Sequence, residues 1–322
     1  MFRPDMEPPF TLTHQLTSEF NASSATLAQR LPGYPNILLQ NRPKLLEFLV
    51  KEFYSDDLNR IADKLWWMSK QDSSNVSPLH RQLVKQRAII VTEDPKLHLV
   101  WIHNRIFIKP LPRYIISYAF WRDCIGDGEE DIRHIRKEAL GYIRTYRYLI
   151  RYESDFRIAQ DPGLQLIPAE ITWEQFCNFA LDLANITDYN VSPRYVYGEI
   201  RLTRLNFYAP ILLRKSHFQR VDYQYGTYFA RFYGPVLFVI GVVSVALSGL
   251  QVAVAVDQEQ PGKDSQLLSA VALWVSVVMI ICFCGMLAWL GIIFVYKVAA
   301  EWRYAIRDRL RLLEEGLTNR SQ

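Results

Sequence analysis

The chain has 322 residues, with 37 Lys and Arg against 33 Asp and Glu and a formal net charge of +4. Its basic residues are interleaved with acidic ones, which excludes the one-signed face of a nucleic-acid-binding protein. Its four cysteines form no CxxC pair, which excludes a disulfide-dense scaffold.

Residues 1–40 are rich in Pro, Ser, Thr and Asn and read as an irregular segment. Met1-Phe2-Arg3-Pro4-Asp5 opens on no apolar run, so no cleaved signal peptide is expected. Residues 41–220 read as a soluble α+β domain on the cytosolic side. Leu45, Leu46, Leu49, Val50 and Phe53 share one helical face. Asp56 or Asp57 can cap a second helix carrying Leu58, Ile61, Leu65 and Trp66, and Ser77-Pro78 suits a third start. Three β-rich runs follow: 89–92, 97–102 and 105–108. With turns at Asp94-Pro95 and His103-Asn104 they predict a small antiparallel β meander. Helix is expected from Arg113 to Cys124. A long helix then opens at Glu129-Glu130-Asp131, with acids at the positive end of the helix dipole, and runs to about Ala159. Thr172 caps the next helix, with Gln175 in its first turn. A last helix is expected from Pro193 to Pro210.

Two later stretches, Phe232–Val256 and Ser265–Tyr296, contain no Asp, Glu, Lys, Arg or His. A bilayer-crossing helix needs about 20 mostly apolar residues. Residues 221–298 therefore read as a two-span membrane hairpin, with spans at about 233–256 and 267–296. The fold class expected is mainly α, with the small meander in the soluble domain and a C-terminal transmembrane hairpin. Small residues let membrane helices approach closely. Gly234, Gly241, Ser244 and Ser248 form one such stripe, and Ala272, Ser276, Cys284 and Ala288 another. These are the candidate helix-packing positions, within the hairpin or between copies.

Positive charge gathers before the first span and after the second. The positive-inside bias places both termini in the cytosol. Five N-x-S/T sequons, at Asn21, Asn75, Asn185, Asn190 and Asn319, oppose that orientation. The candidates for anionic lipid contact are Arg201, Arg204, Arg214, Lys215, Arg220, Arg231, Lys297, Arg303 and Arg307. Residues 299–322 read as an amphipathic helix and tail, with Trp302, Ile306, Leu310, Leu313 and Leu317 in one stripe. It packs on its own domain, lies on headgroups, or joins a second copy or a protein partner.

No catalytic, cofactor or metal site is predicted. The six histidines form neither HxxxH nor HExxH. There is no G-x-S-x-G elbow, P-loop or G-x-G-x-x-G motif. The run Asp127-Gly128-Glu129-Glu130-Asp131 lacks the alternating ligands of a calcium loop. Neither span contains a charge, which argues against a proton relay or charge-coupled carrier.

Tyr197-Gly198-Glu199-Ile200-Arg201-Leu202-Thr203-Arg204-Leu205-Asn206, then Tyr223–Phe229, then Ser248-Gly249-Leu250-Gln251-Val252, resemble an uncharacterised family of filamentous-fungal membrane proteins. Leu31-Pro32-Gly33 and the stretch from Trp101 to Pro112 carry the same resemblance. It implies a cytosolic N-terminal region and two C-terminal spans, without an activity. The layout is also similar to that of CorA-type magnesium channels, but their Gly-Met-Asn filter is replaced here by Ser248-Gly249-Leu250-Gln251. The role expected is a membrane-anchored binding or scaffold protein. An oligomeric ion channel is the alternative, and a membrane-bound hydrolase comes third.

Overall fold

The computed structural model describes residues 7–18, 30–31, 33–126, 130–215, 217–219, 225–259, 270–289, 291–292 and 295. The chain divides into two compact units, Met1–Arg220 and Val221–Gln322. The described structure is mainly helical, with small sheets in the first unit.

Local capping sets several helices of the first unit. Helix α1 (Arg42–Phe53) starts at Asn41, whose side chain accepts the Lys44 N–H at 3.2 Å. Leu45, Leu49 and Phe53, four residues apart, form its buried stripe. Helix α2 (Asp56–Arg60) is short and passes into a 3-10 turn, Ala62–Trp67. Helix α3 (Leu79–Val84) follows Pro78 as the sequence suggests. The helix expected over 113–124 is interrupted at Ser117, where the backbone is extended. A 3-10 turn, Arg113–Ile116, precedes it and α4 (Tyr118–Cys124) follows.

The long helix α5 (Glu130–Leu149) stops well before Ala159. The cause is Asp155, whose carboxylate accepts the N–H groups of Arg151 and Tyr152 at 3.1 and 3.0 Å and caps a new helix, α6 (Glu153–Ala159). Helix α7 (Trp173–Asp182) opens as expected. The Thr172 hydroxyl accepts the Gln175 N–H, and the Gln175 side chain accepts the Thr172 N–H.

The sheets depart from the sequence reading. Within 1–40, β1 (Arg30–Leu31) pairs antiparallel with β2 (Tyr34–Leu38), so this segment is not wholly irregular. The expected meander is a mixed sheet. Strand β3 (Ala88–Val91) runs parallel to β5 (Arg105–Ile108), and β4 (Val100–Ile102) runs antiparallel to β5. Within this sheet β4 and β5 make a hairpin, with His103 in the left-handed region at φ 50°. Between β3 and β4 the chain makes a 3-10 turn, Pro95–Leu97. That connection crosses over rather than reversing tightly, so β4 lands on the far side of β5. A further strand, β6 (Ile200–Arg201), joins β4 in parallel, giving the order β3-β5-β4-β6. The helix expected from 193 to 210 accordingly splits into a 3-10 turn (Pro193–Val196), β6 and α8 (Leu202–Leu212).

The core gathers around α5. Tyr142 and Tyr146 pack with Phe53, Tyr114, Phe120 and Trp121 in one buried cluster. A Cβ on Gly141 would fall 2.2 Å from the Tyr195 ring, so this turn of α5 is open for that ring.

The second unit contains α9 (Tyr225–Glu259) and α10 (Ala270–Trp289). Among the described residues, α10 alone is long and apolar enough to cross a membrane, with a mean hydropathy of 2.6 and 6% of that stretch buried. The most apolar part of α9, Val236–Val252, falls short of that length. Among the described residues the structure thus has one candidate span, where two are expected from the sequence. The amphipathic helix expected over 299–322 lies outside the described residues.

Candidate functional site

A buried cluster of ionisable groups lies where the sheet meets α5. Lys109, which directly follows β5, is fully buried. Its Nζ lies 2.9 Å from Glu52 Oε1 on α1 and 3.0 Å from Glu93 Oε2, and also donates to the Glu93 carbonyl. Tyr34 donates to the same Glu52 oxygen at 2.9 Å, and burial followed by the Glu52 charge pushes the Tyr34 phenol up. On the backbone side, the Lys109 carbonyl accepts from Tyr142 and Tyr146. The Lys109 N–H donates to His98 Nδ1 at 3.1 Å. His98 must then carry its proton on Nε2, which lies 2.8 Å from Thr145 Oγ1. Burial above all, then the Arg194 and Lys109 charges, pushes the imidazole well below its ordinary value, so it is neutral. This arrangement ties the sheet to two helices. Thr145 is not set up as a nucleophile for the histidine, because its hydroxyl gives its own proton to the Tyr142 carbonyl at 2.6 Å.

A second polar hub explains the 197–206 motif. A Cβ on Gly198 would lie 2.2 Å from the Asn75 carbonyl oxygen, so the two backbones touch here. Glu199 then turns inward and accepts the Ser77 N–H at 2.8 Å, Gln82 at 2.7 Å and Arg87 at 2.7 Å. Burial raises this carboxyl, but those donors outweigh it and hold it below the usual range. Arg194 spans the hub by donating to the carbonyls of Tyr197, Gly198 and His98.

Glu138 on α5 shows the opposite balance. Burial pushes its carboxyl up to about 7 despite hydrogen bonds from Asn59 and Ser192 and the Arg194 charge. A carboxyl with a higher pKa folded than unfolded holds its extra proton in the native state. Stability then falls as pH rises from 4.5 through about 7. Glu138→Gln should raise stability at pH 8 by up to about 3 kcal/mol and leave it little changed at pH 4. Thermal unfolding of both proteins at the two pH values checks this, and equal gains at both would contradict it.

A cleft of about 930 Å³ lies between the 7–12 segment and α5. Arg133, Arg136 and Lys137 line one side, and Phe10, Thr11 and Asp182 the other. Asp182 and Arg136 join chain segments there. Asp182 accepts from the Thr11 N–H at 2.9 Å and lies 2.8 Å from His14 Nδ1. Arg136 donates to the Glu7 carbonyl. No group of three or more His, Cys, Asp or Glu that could hold a metal occurs among the described residues.

A family model described as a family of unknown function, DUF6601, matches residues 45–283. The chain belongs to this family. No curated protein and no solved structure matches it.

The DUF6601 match contains Lys109, Glu52, Glu93 and His98, the Glu199 hub and the 197–206 motif, but not Tyr34. It leaves Leu31-Pro32-Gly33 and the 7–12 wall of the cleft outside. Of the expected lipid-contact residues in this DUF6601 member, Arg201, Arg204, Arg214 and Lys215 are exposed at the two ends of α8. Lys215 is held by Asp57 at 2.6 Å, and the Arg201 guanidinium lies 5.2 Å from the Trp101 ring centre. Arg231 lies in α9 with its side chain outside the described residues, as are Arg220, Lys297, Arg303 and Arg307 altogether. Of the expected packing positions, Ala272 is buried and the Ser276 hydroxyl donates to the Ala272 carbonyl within α10. Ser244 lies in α9, with Ser248, and Cys284 and Ala288 are exposed on α10. A Cβ at Gly234 or Gly241 would meet no described atom within 4 Å. Sequence reasoning passed over Lys109, Glu52 and Glu199. The available signal was a lysine set directly behind the apolar run Ile106-Phe107-Ile108.

Proposed function

We propose that the protein is a membrane-anchored binding or scaffold protein with no catalytic centre of its own. The observation that carries this reading is α10, with a mean hydropathy of 2.6 and 6% of its apolar stretch buried. Side chains such as Leu273, Trp274, Ile281 and Trp289 are more than 60% exposed. Such a surface needs an apolar medium around it, and lipid supplies one. In the same reading the apolar part of α9 forms a second span, both termini face the cytosol, and the family is fungal. The polar groups of the Lys109 and Glu199 clusters support a scaffold, because they bind backbone and one another. Carbonate extraction of membranes containing the full chain tests the anchor. Retention in the pellet is expected, and release of the chain would overturn the reading.

A further inference from the structure

We propose that the first unit carries an aromatic face, formed by Trp66, Trp67, Phe207, Tyr208 and Ile211, that inserts into the headgroup layer of the bilayer. This rests on the membrane reading above and adds a second contact between protein and lipid.

Helix α8 is apolar on two sides. Leu202, Leu205 and Ala209 are buried against the first unit. The stripe at i, i+3, i+4 and i+7 on the other side holds Arg204, Phe207, Tyr208 and Ile211. Phe207 and Ile211 are each 72% exposed. A surface helix facing water carries polar residues there. The 3-10 turn Ala62–Trp67 extends the same surface, with Trp66 at 62% exposure. The rings run in an unbroken series. Trp66 and Trp67 are 5.8 Å apart, Trp67 and Tyr208 5.3 Å, and Tyr208 and Phe207 5.1 Å between centroids. Two elements distant in sequence therefore build one exposed apolar patch, and such patches mark contact surfaces.

Composition and tethering select lipid as the occupant. Trp and Tyr bordered by Arg is the mixture found at the headgroup level of membranes. Exposed Arg201, Arg204 and Arg214 flank α8. Of the neighbouring acids, Asp56 and Asp57 are paired with Arg60 and Lys215, and Asp63 is exposed beside Lys64 on the 3-10 turn. The tether is short. Asn206 Oδ1 accepts the N–H groups of Phe218 and Gln219 at 2.8 and 3.1 Å, and its amide donates to the Gln219 carbonyl at 3.0 Å. The chain leaving α8 is thereby folded back onto it. In sequence, residues 220–224 separate Gln219 from Tyr225, where α9 begins.

The test uses the full chain in nanodiscs whose lipids carry bromine near the headgroup, which quenches nearby tryptophan emission. Trp66→Phe combined with Trp67→Phe should remove part of the lipid-quenched emission. Loss confined to the fraction quenched by aqueous acrylamide would overturn the proposal. Trp274→Phe with Trp289→Phe reports on α10 separately. If that pair leaves lipid quenching unchanged, the anchor reading fails. If only the Trp66 pair does so, the aromatic face fails and the anchor stands. Phe207→Gln with Ile211→Gln, both at exposed positions, should leave the melting temperature unchanged and abolish lipid quenching at Trp66. Shielding of Trp66 from both quenchers, with two chains in each disc, would assign the face to a second copy and overturn the proposal.

Discussion

Lys109→Met is expected to destabilise the first unit by about 3–5 kcal/mol. The Lys109 ammonium is fully buried and lies 2.9 Å from Glu52, itself on the buried side of α1. The side chain of Glu93, the other carboxylate, is 71% exposed and can return to water. Glu52 cannot, although it would keep the hydrogen bond from Tyr34. The large effect therefore comes from a stranded carboxylate, with the lost attraction as the smaller part. Adding Glu52→Gln removes that charge, so the double variant should unfold at a higher temperature than Lys109→Met alone. Thermal unfolding of the full chain in detergent measures both. A Lys109→Met protein as stable as the wild type, or a double variant weaker than the single one by the full Glu52→Gln cost, would contradict the account.

Gly198→Ala should cost about 1–3 kcal/mol or slightly more. The new Cβ would meet the Asn75 carbonyl oxygen at 2.2 Å and its carbon at 2.6 Å. Both are backbone atoms, and no side-chain rotation relieves the clash. Relief requires moving the 72–77 loop, which breaks the bond from Glu199 N–H to the Asn75 carbonyl at 3.1 Å and pulls Ser77 away from the Glu199 carboxylate. Gly163→Ala is the control. Its Cβ would meet only Asp161 Oδ1, at 3.1 Å, so its effect should stay within about 0.5 kcal/mol. Comparable melting temperatures for the two variants would show that the Gly198 contact is not structurally required.

What could be read from the sequence was what is decided locally. The Thr172 and Gln175 caps close within four residues, so residue types and spacing suffice. The Pro78 start of α3 is of the same kind. Asp155 is also local, but an acid inside an apparently continuous amphipathic pattern reads as a solvated helix position, which hid the break at Leu149. The sheet was not legible, because each strand run is apolar whichever neighbour it takes. The parallel pairing of β3 with β5, and of β4 with β6, depends on crossovers that close through the rest of the fold. The Lys109 cluster joins Tyr34, Glu52, Glu93 and His98, which no spacing rule connects. The 197–206 motif was visible as a motif while its purpose was not, since the reason for Gly198 is the Asn75 backbone far upstream. The basic ends of α8 were identified from charge alone. Its aromatic face was missed because Trp66 and Tyr208 meet only through the fold.

The proposed membrane anchoring depends most on what surrounds α10. Membranes carrying the full chain, washed in alkaline carbonate and sedimented, give the most direct answer. Lipid around the helix predicts that the chain stays in the pellet and is released only by detergent. Recovery of the chain in the carbonate supernatant would contradict the assignment of α10 to the bilayer.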